Sequence, residues 1–393
     1  MHVGLVGRGE IGYTLDLAIQ LHEAGITVSL YMWEEGFLRV VGDSHRPVER
    51  LYESGVIPQD CRVRLFRTPR MRDPRSLAVF RKLSQTIRND GIEVAHLLVG
   101  SDEIWLATLA FLLHDVPVTT TMTQPTRDIG ERFPFPVIWA IQKLLAYGSD
   151  AIIVNGVDQI ELLEKLYRVS ANRVSFIPVS VSTSAMRLAR SKVPEEPGTI
   201  LFFGRAAPHK GLEYLMQAQP LITQKAPHAR ILVAAHGENL ERCQRMIQDH
   251  NRFEIHKGYS TGDEMAAFFQ RCSVVALPYL CSTSSGVLMA AYAFGKPVVA
   301  TNVSGLSEYV EDGITGLLVP PGNAEQLAEG IIRLLSDDAL RQSMGENAKR
   351  RAEEKDRKIT QQTLRAYEKA VSVHTHKVIR SLGSRRVTGR TTM

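Results

Sequence analysis

Residues 2–33 read HVGLVGRGEIGYTLDLAIQLHEAGITVSLYMW, and this stretch decides the fold. An apolar run leads into a glycine loop, a helical pattern from about Tyr13 to Ala24, and a second apolar run from Thr27 to Trp33. This order predicts a β-α-β unit. Its continuously apolar strands are typical of a parallel sheet that is covered on both faces.

The same alternation fills the rest of the first half. Further strands are predicted at Val94–Val99, Val116–Met122, Ala151–Asn155 and Val174–Pro178. The periodicity breaks between Ser180 and Gly198, a stretch that contains Pro194 and Pro197. We therefore predict a first α/β domain at 1–183 and a linker at 184–198.

The pattern restarts after the linker and predicts a second α/β domain at 199–354. Its strands are predicted at Thr199–Phe203, Arg230–Ala235, Phe253–Lys257, Val274–Leu277, Val298–Thr301 and Gly316–Val319. A charged helical segment from about 324 to 370 and a mobile basic tail at 379–393 complete the chain. Two doubly wound α/β sheets place the expected binding cleft at the carboxyl ends of their strands, between the halves.

Composition narrows the class of protein. The 393 residues are 44% hydrophobic and 23% charged, which fits a globular protein and excludes disorder, collagen and coiled coil as global descriptions. The net charge of 47 − 42 = +5 does not call for a nucleic-acid partner. Four scattered cysteines indicate neither a zinc site nor a disulfide framework. With no signal peptide and no apolar stretch long enough to span a bilayer, we expect a cytoplasmic protein.

Gly7, Gly9 and Gly12 form a G-x-G-x-x-G loop after the first strand, with Glu34 and Glu35 at the end of the second. This is the local fingerprint of a dinucleotide site, because glycines let the backbone approach a pyrophosphate at a helix N-terminus. A first β-α turn that packs tightly, or that approaches a different ligand, would need the same glycines. A nicotinamide-dependent oxidoreductase is therefore one alternative.

The second half carries a more specific combination. Residues 203–211 read FGRAAPHKG, which puts Arg205 and Lys210 in a strand-to-helix loop where two cations can grip a diphosphate. Farther on, residues 282–287 read STSSGV at a predicted helix start, where backbone N–H groups form an anion site or where serine is an ordinary helix cap.

Followed by GKPVVAT at 295–301, GLSE at 305–308 and DGITGLLV at 312–319, these motifs resemble the retaining glycosyltransferases of family 4. The resemblance is close in sequence over about residues 199–335. In the first half of the chain only the architecture is similar. It implies a GT-B fold of two Rossmann-like domains, a nucleotide-sugar donor on the second domain and a glycan, glycolipid or lipid-linked acceptor on the first. It also implies no metal and no cofactor, and a helix at about 355–378 that packs back on the first domain.

The resemblance implies roles for individual residues. Arg205 and Lys210 match the catalytic pair that binds the donor diphosphate and stabilises the departing phosphate. The other donor-binding positions are Gly204, Ser282, Ser285, Gly286, Val287 and Glu308. The acceptor-side positions are Gly9, His96 and Thr123.

Several positions depart from the family pattern. The usual two glutamates, eight residues apart, fall on Ser282 and Ala290, and the expected histidine of the first domain falls on Thr123. A catalytically degenerate GT-B scaffold that binds a sugar nucleotide or a partner is therefore the second alternative. Retaining transfer of this kind is discussed as a substitution on one face of the sugar, which needs no nucleophile from the enzyme. The missing glutamates and histidine therefore do not abolish the reaction in principle.

Residues 61–88 hold nine basic residues against Asp73, a local balance of 9 − 1 = +8. This asymmetry predicts contact with anionic lipid or a phosphorylated acceptor, or else a solvated helix face. The aromatic stretch Phe133–Trp139 adds the second kind of contact that peripheral membrane docking needs, which would hold the protein at the inner face of the membrane. Nucleic-acid binding is not expected, because no stacking aromatics interleave with the arginines.

Overall fold

The structure, a computed structural model, describes residues 1–8, 11–42, 46–69, 73–99, 104–123, 135–180, 183–282 and 285–388. The chain forms two compact units. Unit 1 consists of Met1–Gly36, Pro58–Pro178 and Lys358–Met393, and unit 2 consists of Phe37–Ile57 and Val179–Arg357. Both units are therefore discontinuous in sequence: unit 1 includes the end of the chain from Lys358, and unit 2 includes Phe37–Ile57, which lies inside the range 1–183.

Unit 1 is built on a seven-stranded parallel sheet of order β3-β2-β1-β4-β5-β6-β7. Its strands are β1 (His2–Gly7), β2 (Thr27–Trp33), β3 (Arg62–Phe66), β4 (Val94–Val99), β5 (Val118–Met122), β6 (Ala151–Val154) and β7 (Val174–Phe176). The helices between them are α1 (Ile11–Glu23), α4 (Ser76–Asn89), α5 (Ile104–Leu112), α6 (Phe135–Gly148) and α7 (Asp158–Tyr167). The strands β1, β4, β5 and β6 are almost wholly buried, which fits the mostly apolar sequences of β1, β4 and β6, while β5 (VTTTM) buries three threonines.

Unit 2 is built on a six-stranded parallel sheet of order β10-β9-β8-β11-β12-β13. Its strands are β8 (Thr199–Arg205), β9 (Arg230–His236), β10 (Phe253–Lys257), β11 (Val274–Leu277), β12 (Val298–Thr301) and β13 (Gly316–Val319). Its helices are α2 (Glu34–Val41, most of which lies in this unit), α3 (Pro47–Glu53), α8 (Thr183–Leu188), α9 (Leu212–Lys225), α10 (Leu240–Gln244), α11 (Gly262–Arg271), α12 (Gly286–Ala293) and α13 (Ala324–Ser336). Apolar cores cover both faces of the sheet.

The predicted fold class, two doubly wound parallel α/β domains, is confirmed. One strand was missed: β3 lies inside the basic run 61–88, where alternating arginines conceal an edge strand with only partial burial. The single charged helical segment predicted at 324–370 is two helices. They are α13 and α14 (Asp338–Thr388), separated by Asp337 in an extended conformation.

One buried arginine on α3 helps to hold α2 and α3 in unit 2. The Arg50 guanidinium donates to the carbonyl oxygens of Val41 and Leu188 and forms an ion pair with Asp263 on α11. Its side chain is only 13% exposed, so removing Asp263 would leave a mostly buried guanidinium with carbonyl partners alone, whereas Asp263 also has an ion pair with Arg190. The contact between α3 and α11 is thus electrostatic, and it joins residues that are 213 positions apart.

The second part of α14, from Lys358 onward, belongs to unit 1. Ile359 and Ala366 are buried there in one apolar cluster with Ile153 of β6 and Ile177. Tyr367 is completely buried. Nearer the end of the helix, Lys377 and His374 contact the buried carboxylate of Asp150, at 2.7 and 3.1 Å. The core of unit 1 is therefore closed by residues far along the chain.

Candidate functional site

The direction in which the chain adds strands to the unit 2 sheet reverses between β8 and β11, which creates a switch point at the carboxyl edge of the sheet. Successive connections run to β9 and β10 on one side and to β12 and β13 on the other. Ligands of doubly wound folds bind at this switch point, because the loops there diverge and leave a crevice. The predicted donor residues all lie at the end of β8 or follow β8, β11 or β12, so the topology brings them to this edge.

Arg205 is the last residue of β8 and projects from the switch point. Gly204 before it has φ of +105°, a conformation that a residue with a Cβ rarely adopts. One terminal nitrogen of Arg205 lies 3.3 Å from a carboxylate oxygen of Glu238, which follows β9. Both side chains are about half exposed, at 42% and 53%, so this ion pair is open to competition from an anionic ligand.

Lys210 ends a short 3₁₀ turn, Pro208–Lys210, and lies against the loop that follows β11. Its Nζ sits 3.8 Å from the ring centroid of Tyr279, a cation–π contact. The backbone N–H of Leu280 donates to the carbonyl oxygen of His209 at 2.7 Å. Gly211, with φ of +64°, packs directly on the carbonyl group of Pro278. These contacts fix the position of the lysine relative to β11.

The start of α12 provides a second feature of the same edge. Ser285 caps the helix, with its hydroxyl accepting from the N–H of Leu288 at 3.2 Å and lying 3.4 Å from the Tyr279 hydroxyl. The N–H groups of Gly286 and Val287 belong to the first turn, which has no carbonyl partners within the helix. A Cβ on Gly204 would lie 3.5 Å from Val287, so this turn adjoins the end of β8. The arrangement suits an anion.

Two other predicted donor positions lie in neighbouring loops. Glu308 follows β12, is exposed, and accepts from the Ser304 hydroxyl at 3.2 Å. Ser282 is half-buried in the loop before α12. Ala290, where the family has its second glutamate, is completely buried in α12. The structure thus brings Gly204, Arg205, Lys210, Ser285, Gly286 and Val287 together, and it places Ser282 and Glu308 in loops at the same edge.

Sequence reasoning missed a polar cluster beyond β9 and β10. The imidazole of His236 stacks on Tyr259 with ring centroids 3.9 Å apart, and the Arg39 guanidinium lies 5.1 Å from the same tyrosine ring. Burial and then the nearby Arg205 lower the pKa of His236. The available signal was the segment His236-Gly237-Glu238. His236 ends a buried strand, as Arg205 does, and Glu238 follows that strand.

Replacing Glu238 with glutamine is expected to tighten the binding of a nucleoside diphosphate. The carboxylate competes with phosphate for Arg205, and an exposed ion pair contributes about 0.2–1 kcal/mol, which corresponds to an affinity gain of up to about fivefold. Titration of UDP and GDP by calorimetry measures the change. Glu241→Gln, an exposed acid on α10, is the matched control. Weaker binding by the Glu238 variant would show that the carboxylate assists the ligand instead.

The acceptor-side candidates lie in unit 1. Gly9 falls outside the described residues. Thr123 is half-buried after β5, where its hydroxyl donates to the carbonyl oxygen of Val99 at 3.3 Å. His96 is buried, with Nδ1 2.8 Å from the Tyr367 hydroxyl and Nε2 2.7 Å from the Thr121 hydroxyl. These contacts are those of a packed histidine, and contact of His96 with an acceptor stays a prediction.

Replacing His96 with glutamine is expected to make the stability less dependent on pH. Burial lowers the pKa of His96 to about 3, whereas an unfolded histidine titrates near about 6.5. Between these values the unfolded chain binds the extra proton, so stability falls with falling pH by up to about 1.4 kcal/mol per unit. Urea unfolding between about pH 4.5 and 6.5 measures the slope. The exposed His376→Gln is the control, and parallel slopes for wild type and the His96 variant would contradict the expectation.

The basic run 61–88 is less positive than its sequence indicates. Arg70 and Arg72 lie outside the described residues, while Arg81 and Lys82 on α4 are exposed. Five arginines form ion pairs: Arg62 and Arg64 with Asp90, Arg67 with Glu34, Arg75 with Asp73, and Arg88 with Asp115. Three acids from elsewhere in unit 1, Glu34, Asp90 and Asp115, therefore offset part of the local excess. Trp139, predicted as aromatic surface, is half-buried and donates to the carbonyl oxygen of Leu166.

The described ranges contain neither a group of metal ligands nor a membrane-spanning helix. No three His, Cys, Asp or Glu residues among them are grouped so that they could hold a metal ion. None of the described helices combines the length and the apolar character needed to cross a membrane.

Fold and site together define a protein of the GT-B class. The family described as Glycosyltransferase Family 4 matches residues 12–185, and the family described as Glycosyl transferases group 1 matches residues 187–351. The chain therefore belongs to the glycosyltransferases in which a family 4 domain precedes a group 1 domain. The predicted family is confirmed.

Individual relatives agree with this assignment. An uncharacterized glycosyltransferase of Methanocaldococcus jannaschii is 30% identical over 46% of this chain and 47% of its own length. A D-inositol 3-phosphate glycosyltransferase of a Nocardioides species is 24% identical over 87% of this chain and 81% of its own length. In several other relatives, matches cover 39–67% of the relative's length, so the chain spans about half of many of them.

Solved structures show the same fold. The sucrose-phosphate synthase of Thermosynechococcus elongatus superposes with a TM-score of 0.65 at 19% identity, covering 98% of this chain and 99% of that one. Anabaena HepE, solved with UDP and glucose, superposes with a TM-score of 0.64 at 18% identity, covering 98% and 100%.

Proposed function

We propose that the protein transfers a hexose from a nucleotide-sugar donor to a glycan, glycolipid or lipid-linked acceptor, with retention of configuration and without a metal ion. The observation that carries the proposal is the convergence of Arg205, Lys210 and the first turn of α12 at the switch point of the unit 2 sheet. Two cations and a helix N-terminus suit a diphosphate, and HepE was solved with UDP and glucose.

The proposed transfer breaks the bond between the anomeric carbon of the sugar and the diphosphate oxygen. The bonding electron pair leaves with that oxygen, and the oxygen of an acceptor hydroxyl forms the new bond on the same face of the sugar. The proton of the acceptor hydroxyl passes to the departing phosphate. Negative charge grows on the phosphate during this step, and Arg205 and Lys210 would stabilise it in the transition state. No protein nucleophile is needed, which accommodates Ser282 and Ala290 at the positions of the family glutamates.

A ligand screen followed by product analysis tests the proposal. UDP, GDP, ADP, their common sugar conjugates and NAD(P) are compared by thermal shift, where a ligand at 100 times its dissociation constant stabilises by about 2.7 kcal/mol. We expect one nucleoside diphosphate and its sugar conjugate to raise the melting temperature. Proton NMR of the product, formed in the presence of EDTA, then reports the anomeric configuration. Inversion, or activity only with added metal, contradicts the corresponding part of the proposal.

The remaining outcomes separate the alternatives. Binding of the sugar nucleotide without turnover across an acceptor panel favours the degenerate scaffold, which the losses at Ser282, Ala290 and Thr123 motivate. A shift with NAD(P) alone favours the oxidoreductase that the first glycine loop suggests.

A further inference from the structure

A cavity of about 690 Å³ lies between α3 and the end of α8 in unit 2. Among the described residues that line it, four are arginines and one is an acid, Glu53. Arg46 precedes α3 and Arg50 belongs to it, while Arg187 belongs to α8 and Arg190 follows that helix. The volume falls within the range of small-molecule sites, about 300–1,000 Å³. We call this space the arginine cavity.

Two of the arginines hold the walls of the cavity in place. The Arg50 guanidinium donates to the carbonyl oxygen of Leu188 at 3.3 Å, which joins α3 to α8. Arg187 donates to the carbonyl oxygen of Gly55 at 2.9 Å, which joins α8 to the end of α3. Helix α8 also packs tightly on α11, since a Cβ on Gly262 would lie 2.7 Å from Leu188. The cavity is therefore preformed, and a ligand does not need to order its walls.

The other two arginines are open to solvent. Arg46 is exposed, and the side chain of Arg190 is 69% exposed. Arg190 forms an ion pair through Nε, which lies 2.9 Å from a carboxylate oxygen of Asp263. A guanidinium carries four further N–H donors on its two terminal nitrogens. The rim of the cavity therefore presents donors of two cations to an incoming ligand.

The acids near the cavity do not balance its cations. Asp263 is shared between Arg50 and Arg190, and Glu53 is the acid of the lining. Four arginines and two acids leave a local charge of 4 − 2 = +2. Like charges that are gathered in one place repel each other, and natural proteins accept such costs mainly at functional sites. A bound anion would offset the repulsion.

The chemistry of the lining indicates the class of anion. The planar fork of arginine matches two oxygens of a phosphate group, so a cavity whose cations are all arginines suits phosphate. None of the described lining residues is aromatic, so a nucleobase would find no ring to stack on. The apolar residues of the lining are Leu188, which is buried, and Ala189, and they offer little surface to a lipid chain.

We propose that the arginine cavity binds a phosphorylated small molecule without an aromatic base, such as a sugar phosphate or an inorganic diphosphate. Arg46 and Arg190 contact the phosphate, and Arg50 and Arg187 position the walls. The cavity shares no residue with the donor site at Arg205 and Lys210. The inference therefore goes beyond the proposed transfer and does not depend on it.

Calorimetric titration of the full chain with pyrophosphate and with glucose 6-phosphate tests the inference. The Arg205→Ala, Lys210→Ala variant serves as the background, so that the donor site does not contribute. We expect one ligand per chain and weaker binding at raised salt. Adding Arg46→Gln with Arg190→Gln is expected to weaken the binding at least about tenfold, because both substitutions remove charge-assisted hydrogen bonds. Asp263 keeps its pair with Arg50 in this variant.

Two further variants and one further ligand sharpen the result. Arg333→Gln with Arg350→Gln, which changes exposed arginines of α13 and α14, is the matched control and should bind like the background. Arg46→Lys with Arg190→Lys keeps the charge but loses the fork, and it should bind at least about threefold more weakly than the background. UDP should bind no more tightly than pyrophosphate.

Several outcomes overturn the inference. They are the absence of binding by both probes, an equal loss in the control, full binding by the lysine variant, and tighter binding of UDP than of pyrophosphate. The melting temperature of each variant without ligand shows whether it is folded.

Hydrogen exchange of the wild-type chain locates the ligand independently of any substitution. Pyrophosphate is expected to slow exchange in α3 and in residues 183–190. Protection confined to residues 204–211 and 285–288 would place the ligand at the donor site alone and would overturn the inference. Nucleoside diphosphate binding to the wild-type chain is read separately by thermal shift, so a failure of the arginine cavity is distinguishable from a failure of the proposed transfer.

Discussion

Replacing Arg205 and Lys210 together with alanine is expected to abolish sugar transfer and to weaken nucleoside diphosphate binding. Each cation contributes charge-assisted hydrogen bonds of about 1.5–3 kcal/mol, so the affinity for the diphosphate should fall by at least about 100-fold. Transfer should fall by more than about 10³-fold, because removal of one group that stabilises transition-state charge already costs about 10²–10³ in rate. Calorimetric titration with UDP or GDP and an assay of nucleoside diphosphate release measure the two effects.

The control for this prediction is Lys225→Ala. Lys225 is an exposed cation at the far end of α9, the helix that follows Lys210, and 14 residues of helix place it about 20 Å away. It should leave both readouts unchanged. Full activity in the Arg205 and Lys210 double variant would refute their role as the phosphate clamp. If the double variant still bound the nucleoside diphosphate but lost transfer, Arg205 and Lys210 would act only in the chemical step.

Replacing Gly211 with alanine is expected to destabilise unit 2 and to disrupt donor binding. Gly211 has φ of +64°, which costs a residue with a Cβ about 1–2 kcal/mol. The new methyl group would also overlap the carbonyl oxygen of Pro278, so the loop between β8 and α9 must move away from β11. The cation–π contact between Lys210 and Tyr279 depends on that approach. We expect a loss of about 2–4 kcal/mol and a melting temperature lower by about 5–15 °C.

Gly313→Ala separates the cost of a positive φ from the cost of the overlap with Pro278. Gly313 has φ of +75°, but a Cβ there would meet nothing within 4 Å. This variant should lose only the conformational cost, about 1 kcal/mol, and should bind UDP or GDP like wild type. Calorimetric melting and nucleotide titration of both variants make the comparison. Similar small effects in the two would mean that the loop at Gly211 yields without moving Lys210.

Much of the fold could be predicted because parallel strands that are buried on both faces read as short apolar runs. The predicted bounds of Val94–Val99 and Phe253–Lys257 match β4 and β10. The edge strand β3 was hidden because its arginines, Arg62 and Arg64, are paired with Asp90, which is distant in sequence. The placement of α3 in unit 2 was not readable, because its ion pair between Arg50 and Asp263 joins residues that no local pattern connects.

Some features of the candidate site could likewise be proposed from the sequence, and others could not. Arg205 and Lys210 could be proposed because their loop stands in a combination of motifs that resembles the family, whereas the loop alone is a weak pattern. The contact of Lys210 with Tyr279 and the pairing of Arg205 with Glu238 were not readable, since they depend on which strands are neighbours in the sheet. The packing of His96 against Tyr367 was not readable either, because the two residues are 271 positions apart.

The contacts of α14 with unit 1 have a consequence for synthesis on the ribosome. Residues 1–178 emerge first, yet the side chains that bury His96 and cover Ile153 come from Tyr367, Ile359 and Ala366. Nascent chains fold as their segments appear. The pocket for Tyr367 must therefore stay open while the whole of unit 2 is translated. The unit that the ribosome begins first is the one that is completed last.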